Sequence, residues 1–386
     1  MAQGIQDQCL CWEIPFRLAI HVFEMQLRYI VASFMGTISA TAGERLLVTT
    51  MELGGASDIV QQYFTWWDSF KPHVQNPKMM KLTTAEQNAV FFSWKDNLEF
   101  IKAVNRDAVG FELAVGPFTH MTDKQFGDLV GFCPGGFETG SEARGTEQVA
   151  LLATEAHGSL AASGHDDQSS KKPRAVDSVD WTERGMVTPV KNSGLHASCW
   201  ATSTAEVLES RSAIAHGNLR NLSVAELVAC TGEVSGNPIS NALLFLAAHG
   251  GVHEASAFSG ECAPSREPQM IQITGFEELP RNDELQLMQA VAEGPVSVAI
   301  QANERFFQHY GSGILTVNCG AQLNHAVLVV GFGHNGVEGE NSYWKVKNSW
   351  GPRWGEKGYI RLCRSCFQNG ASGLCGVASQ PMIPVL

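Results

Sequence analysis

The first regular pattern of apolar residues lies within residues 60–130, where apolar positions recur every three or four residues. The first such group is Val60, Phe64, Trp67 and Phe70. This spacing is typical of an amphipathic helix. Thr84 is predicted to be the N-cap of a second helix, because Thr84 followed by Glu86 and Gln87 resembles a capping box. We therefore expect residues 60–130 to be largely helical.

The pattern changes again in the C-terminal half. Residues 199–250 favour helices, and Ser223 with Glu226 forms another candidate capping box. Apolar runs typical of strands follow at residues 296–300, 326–330 and 343–346. The C-terminal half is thus predicted to consist of a helical part followed by a strand-rich part.

Residues 134–172 have a different composition, with glycines scattered among Ser, Thr, Glu and Ala. Such a segment buries little apolar surface, so residues 134–174 are predicted to form a flexible linker. Exposed linkers are preferred sites of proteolysis. We therefore expect a processing protease to cut the chain within this segment.

The N-terminal residues indicate a targeting segment more than a membrane span. Charged residues, among them Glu24 and Arg28, interrupt the apolar residues 16–40, so a span of about 20 apolar residues fits poorly. Reading from Met25, a short basic start and an apolar stretch precede a small-x-small pattern that ends at Ala42. We predict a signal peptide within residues 1–42, cleaved after Ala42, whether translation starts at Met1 or Met25. An uncleaved signal anchor is the alternative.

Composition places the chain among acidic globular proteins. Its 386 residues suggest two or three domains, and its 44% hydrophobic content argues against disorder. The formal net charge of −12 and the pI near 5.5 argue against nucleic acid as a partner. An acidic chain is compatible with an acidic compartment, but acidity does not establish one.

Ten cysteines narrow the compartment further. Seven of them follow residue 175, and one of these, Cys199, is a candidate nucleophile. The remaining six form an even set, which suits three disulfides in an oxidising compartment. Six cysteines allow 15 pairings, so the connectivity stays open at this point. A zinc site at Cys363 and Cys366 would need two more ligands, which are absent nearby at suitable spacing, so no metal is expected.

Cys199 lies where a loop of small and polar residues leads into a helix whose apolar positions begin at Trp200. A helix N-terminus favours a thiolate over a thiol, and the thiolate is the reactive form. A lone cysteine beside a tryptophan is otherwise an ordinary small core residue. Two later residues change that assessment, because His325 opens one strand-like run and Asn348 follows another. Cys, then a distant His, then Asn is the order found in papain-like proteases.

On these segments the chain resembles the papain family of cysteine proteases, strongly over residues 179–385 and more weakly over residues 64–126. The resemblance implies an α+β fold of two lobes, a helical lobe with Cys199 and a β-barrel-like lobe with His325 and Asn348, preceded by a small helical prodomain. The implied parts are an N-terminal extension with the signal peptide at 1–42, an inhibitory propeptide at 43–133, the linker at 134–174 and the peptidase domain at 175–386.

The resemblance also implies a role for each catalytic residue. Cys199 would attack a peptide carbonyl, His325 would carry the proton, and Asn348 would orient the imidazole ring. Trp350 would shield the hydrogen bond between His325 and Asn348 from water. An acyl-enzyme would form and be hydrolysed by water, and no cofactor is needed.

One departure from the family pattern concerns the oxyanion hole. Ser193 stands where relatives carry a Gln whose side-chain amide points at the developing oxyanion. The oxyanion hole would therefore consist of Ser193 and the backbone N–H of Cys199. Losing one such donor costs on the order of 10²–10³ in turnover. An intact Cys199 and His325 pair would then coexist with weak catalysis.

A second departure concerns the disulfides. His196 stands where relatives carry a Cys, and the partner Cys expected near residue 234 is absent as well, so no orphan thiol remains. The pairs that the resemblance does imply are Cys230–Cys262 and Cys319–Cys375. Cys363 and Cys366 then pair locally or stay free.

The resemblance further implies a specificity pocket. The segment that hydrogen-bonds substrate backbone in relatives appears here as Gly236–Asn237, which matches the family's Gly-Gly pair only in part. The pocket for the second residue before the scissile bond would be lined by Pro238, Ile239, Ala299, Leu323 and Gln380. Four apolar residues with one polar residue favour an apolar substrate side chain.

The N-terminal helices match the prodomain of papain-like zymogens at specific positions. The matching residues of the main helix are Glu86, Trp94, Asn97, Ile101 and Asn105. Val90 replaces the family's Arg, so a buried Glu86 would lack its usual ion partner. In a second motif Phe118 matches, while Gly116 and His120 replace the expected Asn and Asp. We expect a packed helical subdomain that also covers the active site.

The leading hypothesis is a cysteine endopeptidase made as a zymogen and inhibited by its own propeptide. It implies protein or peptide substrates, a monomer, and a place in the secretory pathway, either in a lysosome or vacuole or outside the cell. The alternative is a papain-fold homologue with impaired catalysis that acts as a binding or regulatory protein. Ser193 and the missing disulfide are the observations that suggest it. A different thiol acyl-transfer chemistry on the same residues is a third hypothesis.

Overall fold

The computed structural model describes residues 53–70, 83–107, 110–130, 177–193, 198–232, 237–262, 270–334, 342–366 and 372–386. The described residues from Ser57 onward belong to one compact unit. The predicted signal peptide and the predicted linker lie outside the described residues. Within these ranges, no helix combines the length and the apolar character needed to cross a membrane.

The described residues form eight α-helices. They are α1 (Leu53–Phe70), α2 (Thr84–Asp107), α3 (Asp123–Val130), α4 (Cys199–His216), α5 (Val224–Cys230), α6 (Pro238–His249), α7 (Glu284–Glu293) and α8 (Arg305–Gln308). A short 3₁₀ helix follows at Leu374–Gly376. The helices α4, α5 and α6 account for the helical part that was predicted over residues 199–250.

The same residues form nine strands. They are β1 (Phe111–Leu113), β2 (Val179–Asp180), β3 (Gly275–Glu278), β4 (Val296–Ile300), β5 (Tyr310–Leu315), β6 (His325–His334), β7 (Ser342–Lys347), β8 (Tyr359–Cys363) and β9 (Met382–Val385). Their order is β1-β5-β8-β7-β6-β4-β9-β3, and β2 pairs with β6. Only β5 and β8 run parallel among these ladders. The described pairings thus form an open path of strands and not a closed ring.

The three predicted strands are present, and two of them are longer than predicted. β4 has the predicted bounds, whereas β6 starts one residue earlier and extends to His334, and β7 gains a residue at each end. β6 is buried at every position but the last, so it reads as a continuous apolar run. Gly331 makes this burial possible, because a Cβ there would collide with the carbonyl oxygen of Val179 on β2.

Helix α4 lies between the two parts of the peptidase domain. Its residues Ala201, Ala205 and Leu208 are fully buried in a core shared with α5 and α6. On another side, Val207 packs with Leu328 and Val330 of β6. Because α4 is covered on both sides, it carries small residues where a surface helix would carry long polar ones. The helix that begins with Cys199 is therefore held rigidly.

The residue that caps α2 differs from the prediction by one position. Thr83, and not Thr84, forms the capping box with Glu86: the Thr83 N–H and hydroxyl each lie 2.7 Å from Glu86 Oε2. The Glu86 N–H faces the Thr83 hydroxyl at 3.4 Å in return. The expectation of a buried Glu86 is wrong, since its carboxylate is exposed at the helix end. These hydrogen bonds lower the pKa of Glu86, so it needs no arginine partner.

The helices α1 and α2 pack through an aromatic cluster. Trp66 and Trp94 are almost fully buried, and the Trp66 indole N–H donates to the Gly116 carbonyl over 2.8 Å. Asn97 donates to the carbonyls of Thr119 and Met121, each over 2.8 Å. The Asn97 amide, which matched the prodomain pattern, thus holds the chain that follows α2 against that helix.

This N-terminal subdomain also packs on the strand-rich part of the peptidase domain. Strand β1 pairs antiparallel with β5, with Phe111 opposite Gly313. Gly313 has a φ of +90°, and a Cβ there would collide with the Gly110 carbonyl. Helix α8 contributes Arg305, whose Nε donates to Asn97 Oδ1 over 2.9 Å. The subdomain therefore adds an edge strand and a polar anchor to the peptidase domain.

Candidate active site

Cys199 is the first residue of α4. It is buried, with 9% of its surface exposed. The preceding Ser198 makes no side-chain cap hydrogen bond, so it does not use its hydroxyl to satisfy the first N–H groups of the helix. Because Cys199 is the first residue of α4, it lies at the positive end of the helix dipole. The predicted placement of the cysteine at a helix N-terminus agrees with the structure.

His325 opens β6, and Asn348 directly follows β7, the neighbouring strand. The ladder between the two strands brings the side chains together, with His325 Nε2 2.9 Å from Asn348 Oδ1. Both residues are buried, with 2% and 0% exposed. A hydrogen bond of this kind in a dry environment fixes the plane of the imidazole ring.

The direction of this hydrogen bond follows from a second contact. The Ser349 backbone N–H donates to the same Asn348 Oδ1 over 2.7 Å, so this atom is the amide oxygen. An oxygen accepts, and His325 Nε2 must therefore donate. In the neutral ring the other nitrogen, Nδ1, is then the basic one. Asn348 thus selects the tautomer in which Nδ1 can accept a proton.

Trp350 covers this pair. Its ring stacks on the His325 imidazole with centroids 4.9 Å apart and planes at 24°. Three phenylalanines meet the same indole edge to face, Phe118 at 5.3 Å, Phe126 at 5.5 Å and Phe307 at 5.6 Å. Phe118 and Phe126 belong to the N-terminal subdomain, so this subdomain packs directly beside the candidate site.

Ser193 is hydrogen-bonded to the segment that follows Asn348. Its backbone N–H and its hydroxyl both donate to the Ser349 carbonyl oxygen, each over 2.9 Å. Asn192 and Trp350 pair as an isolated β-bridge next to it. The loop before Cys199 is therefore joined to the segment that carries Asn348. Residues 194–197, which include His196, lie outside the described residues.

The residues predicted to line the specificity pocket lie together. Ile239 and Ala299 are fully buried and Leu323 is nearly so, and all three share one apolar cluster with Cys199. Pro238 is buried in the first turn of α6. Asn237 caps α6 and donates through Nδ2 to Gln380 Oε1 over 2.8 Å. Gly236 lies outside the described residues.

The structure pairs six cysteines in three disulfides. The pairs are Cys230–Cys262, Cys319–Cys375 and Cys363–Cys366. The first two are those that the family resemblance implied, and the third joins the two cysteines that the sequence left either paired locally or free. Cys199 is the one cysteine among the described residues that forms no disulfide.

Sequence reasoning did not single out a buried group of charged residues behind the site. Glu206 and Glu209 of α4 face Lys191 and Lys347, and both carboxylates are essentially unexposed. The available signal was two Glu residues within a stretch of small and apolar residues, 199–210. No Lys lies three or four residues from either, so a pairing within the helix was excluded and a tertiary partner was required.

Comparison with known proteins identifies the architecture. A model of the papain family of cysteine proteases matches residues 175–385. The chain belongs to this family. It is 32% identical over 378 residues to germination-specific cysteine protease 1 of Arabidopsis thaliana, with 94% of each chain covered. It is also 36% identical over 313 residues to the oryzain beta chain of Oryza sativa subsp. japonica, spanning 62% of that protein and 78% of this chain.

Solved structures of papain-family precursors are similar over both parts of the chain. A recombinant stem bromelain precursor superposes with a TM-score of 0.66 at 29% identity, covering 85% of this chain and 99% of the other. The proform of Amb a 11, a cysteine protease and ragweed pollen allergen, superposes with a TM-score of 0.65 at 29% identity, covering 89% and 99%. The chain is thus a papain-family cysteine protease zymogen, and the helical subdomain at its N-terminal side corresponds to the propeptide.

Proposed function

We propose that this papain-family zymogen is an endopeptidase that uses Cys199 as nucleophile, His325 as general acid and base, and Asn348 as the residue that orients the imidazole. The observation that carries the proposal is the buried hydrogen bond of 2.9 Å between His325 Nε2 and Asn348 Oδ1. This hydrogen bond leaves Nδ1 as the basic nitrogen of His325. Cys199 lies at a helix N-terminus in the same domain. These are the properties that an activated thiol needs.

In the proposed reaction the Cys199 thiolate attacks the carbonyl carbon of the scissile peptide bond. His325 holds the thiol proton on Nδ1 and delivers it to the leaving amine as the tetrahedral intermediate collapses. Water then attacks the acyl-enzyme with His325 as the base, which releases the acid and restores the thiol. Asn348 keeps the ring plane constant through both steps, and Trp350 excludes water from the hydrogen bond between His325 and Asn348.

The oxyanion hole is the weak part of this site. The backbone N–H of Cys199 supplies one donor. The Ser193 hydroxyl already donates its one proton to the Ser349 carbonyl oxygen. Removing one oxyanion donor typically lowers turnover by 10²–10³. We therefore propose slow peptide hydrolysis by a normally reactive thiol. The alternative, a homologue that binds peptides without hydrolysing them, is favoured by the same contact.

Substrate and location belong to the same proposal. The cluster around Ile239, Ala299 and Leu323 favours peptides with an apolar residue two positions before the cut. The propeptide acts as an intramolecular inhibitor until it is removed. Three disulfides support folding in the secretory pathway, with the mature protein in a lysosome or vacuole or outside the cell, as a monomer.

The test separates a reactive thiol from turnover. After acid activation, a peptidyl epoxide is used to label Cys199, and a fluorogenic dipeptide is used to measure hydrolysis. We expect labelling and slow hydrolysis in the wild type, neither in Cys199→Ala, and slower labelling in Asn348→Ala. Labelling without hydrolysis would favour the binding protein. Absence of labelling in a folded, activated wild type would refute the Cys199 and His325 pair.

A further inference from the structure

A buried ion pair links the two parts of the peptidase domain behind the candidate site. Lys347 Nζ lies 2.7 Å from Glu206 Oε1, and the two side chains are 0% and 2% exposed. A lysine is almost never fully buried unless it is paired. Moving both charges out of water is costly, and good geometry has to offset that cost. Such a pair therefore calls for an explanation beyond stability.

The positions of the two residues suggest that explanation. Glu206 follows Cys199 by seven residues in α4, which is two helical turns, so the two side chains lie on the same face of the helix. Lys347 ends β7 and directly precedes Asn348. The ion pair thus joins the helix that starts at Cys199 to the backbone that presents Asn348 to His325.

The charges around the pair compensate one another. Glu209, one turn beyond Glu206, lies 2.9 Å from Lys191 Nζ and accepts from the Thr188 hydroxyl over 2.5 Å. Lys347 Nζ also donates to the Thr188 hydroxyl over 3.2 Å, which makes one continuous network of two carboxylates and two ammonium groups. Tyr359 of β8 faces Glu206, and burial raises its pKa to about 12, so it stays neutral. Lys347 is the cation in direct contact with Glu206.

We propose that Glu206 and Lys347 are positioning residues that set the separation between Cys199 and the pair of His325 and Asn348. This inference rests on the catalytic roles proposed above. Apolar contacts already pack α4 on two sides, and the charge contact adds a directional tie between this helix and the end of β7 at one point. Since a displacement of about 1 Å in a reacting group costs up to 10²-fold in rate, such a contact influences the reaction from behind the site.

Acid weakens this contact before it weakens an ordinary ion pair. Burial raises the pKa of Glu206, and Glu209 adds to this effect, while Lys347 and Lys191 oppose it. The ion pair is present above the pKa of Glu206 and is lost as pH falls through it. The reactivity of Cys199 should then depend on the ionisation of a residue that touches neither the thiol nor the imidazole.

The test uses the activated full-length protein and three variants. Glu206→Gln removes the charge and keeps the shape. The double variant Glu206→Met with Lys347→Met removes both charges without leaving either one unpaired. Lys345→Met is the matched control, because Lys345 lies on the same strand but pairs with Asp180, away from α4. Iodoacetamide alkylation of Cys199 is followed between pH 4 and pH 8 by mass spectrometry of its peptide, alongside dipeptide hydrolysis and thermal unfolding.

We expect the double variant to unfold near the wild-type temperature and yet to alkylate roughly 10- to 100-fold more slowly at pH 6. Glu206→Gln should show the same loss, and its profile should lack one ionisation on the acid side. Lys345→Met should keep the wild-type profile.

Alkylation at the wild-type rate in the folded double variant, or in Glu206→Gln if the double variant does not fold, would overturn the inference. A wild type that alkylates but hydrolyses no peptide would refute the endopeptidase and would still test the ion pair.

Discussion

The Ser193 hydroxyl donates to the Ser349 carbonyl oxygen over 2.9 Å, and the Ser193 backbone N–H donates to the same oxygen. Both donors of this residue are therefore directed at the protein. The residue that takes the place of the family's oxyanion amide thus ties two loops of the site together. It has no proton left for a tetrahedral intermediate.

Restoring an amide at this position should raise turnover. We expect Ser193→Gln to increase kcat for a fluorogenic dipeptide by up to 10²–10³, because a second oxyanion donor stabilises only the transition state. Epoxide labelling of Cys199 should change little, since labelling does not form the same oxyanion. Ser193→Ala is the control and should keep the wild-type kcat within a few-fold. A large loss of kcat in Ser193→Ala would mean that the hydroxyl does serve the reaction.

The anchor between Arg305 and Asn97 should hold the propeptide in place. Arg305 Nε donates to the buried Asn97 Oδ1 over 2.9 Å, and the guanidinium also contacts Asp96 and packs on the ring of Phe100. A hydrogen bond from a charged group to a buried acceptor contributes about 2 kcal/mol. In the intact zymogen at neutral pH, Arg305→Ala should therefore raise the rate of epoxide labelling by roughly 30-fold.

The matched control for this prediction is Lys124→Ala. Lys124 and Asp128 form an exposed ion pair within the propeptide, 82% and 66% exposed, so its loss should change labelling hardly at all. Equal labelling rates in Arg305→Ala and wild type would show that the β1–β5 pairing and the aromatic contacts hold the propeptide without this anchor.

His120 should make the propeptide sensitive to acid. Its ring is buried against Trp66, 5.5 Å between centroids, and burial lowers its pKa to about 4. Because the folded pKa lies below the ordinary value of 6.5, the stabilisation is complete above pH 6.5 and is lost as pH falls toward 4. Because the unfolded chain binds this proton more readily, the free energy of unfolding of the propeptide should fall by about 2 kcal/mol between neutral pH and pH 5.

The measurement is zymogen labelling by the epoxide across this pH range. His120→Gln keeps a polar side chain without the titration, and its labelling rate should rise less steeply than that of the wild type between pH 6.5 and pH 4. A His120→Gln profile that parallels the wild-type profile would show that His120 is not the source of the acid sensitivity.

The two disulfides of the strand-rich part should contribute unequally to stability. Cys319 and Cys375 are 56 residues apart, while Cys363 and Cys366 are three residues apart. On the chain-entropy model, removing the longer loop costs about 4 kcal/mol and removing the shorter one about 2 kcal/mol. Urea unfolding of the two double Cys→Ala variants should show this order. A larger loss for the Cys363 and Cys366 variant would contradict it.

Local rules explain how much of the fold was predictable. Ser223 caps α5 through the Glu226 N–H, as its motif indicated, because a cap depends only on residues within one turn. At α2 the same rule pointed one residue too far along the chain, because Thr83 and Thr84 both satisfy the motif and only the hydrogen bonds distinguish them. Burial of Glu86 was predicted wrongly, since exposure depends on what packs against a helix end.

The sequence by itself determined the family, the succession of a helical part and a strand-rich part, and the identity of the three candidate catalytic residues. Their order along the chain and their flanking residues are local properties that need no coordinates. Only the tertiary structure decided where Ser193 directs its hydroxyl, how Cys363 and Cys366 pair, and that Glu206 meets Lys347. The reason is physical: each of these depends on a partner brought close by chain packing, and the direction of a side chain is set by that partner.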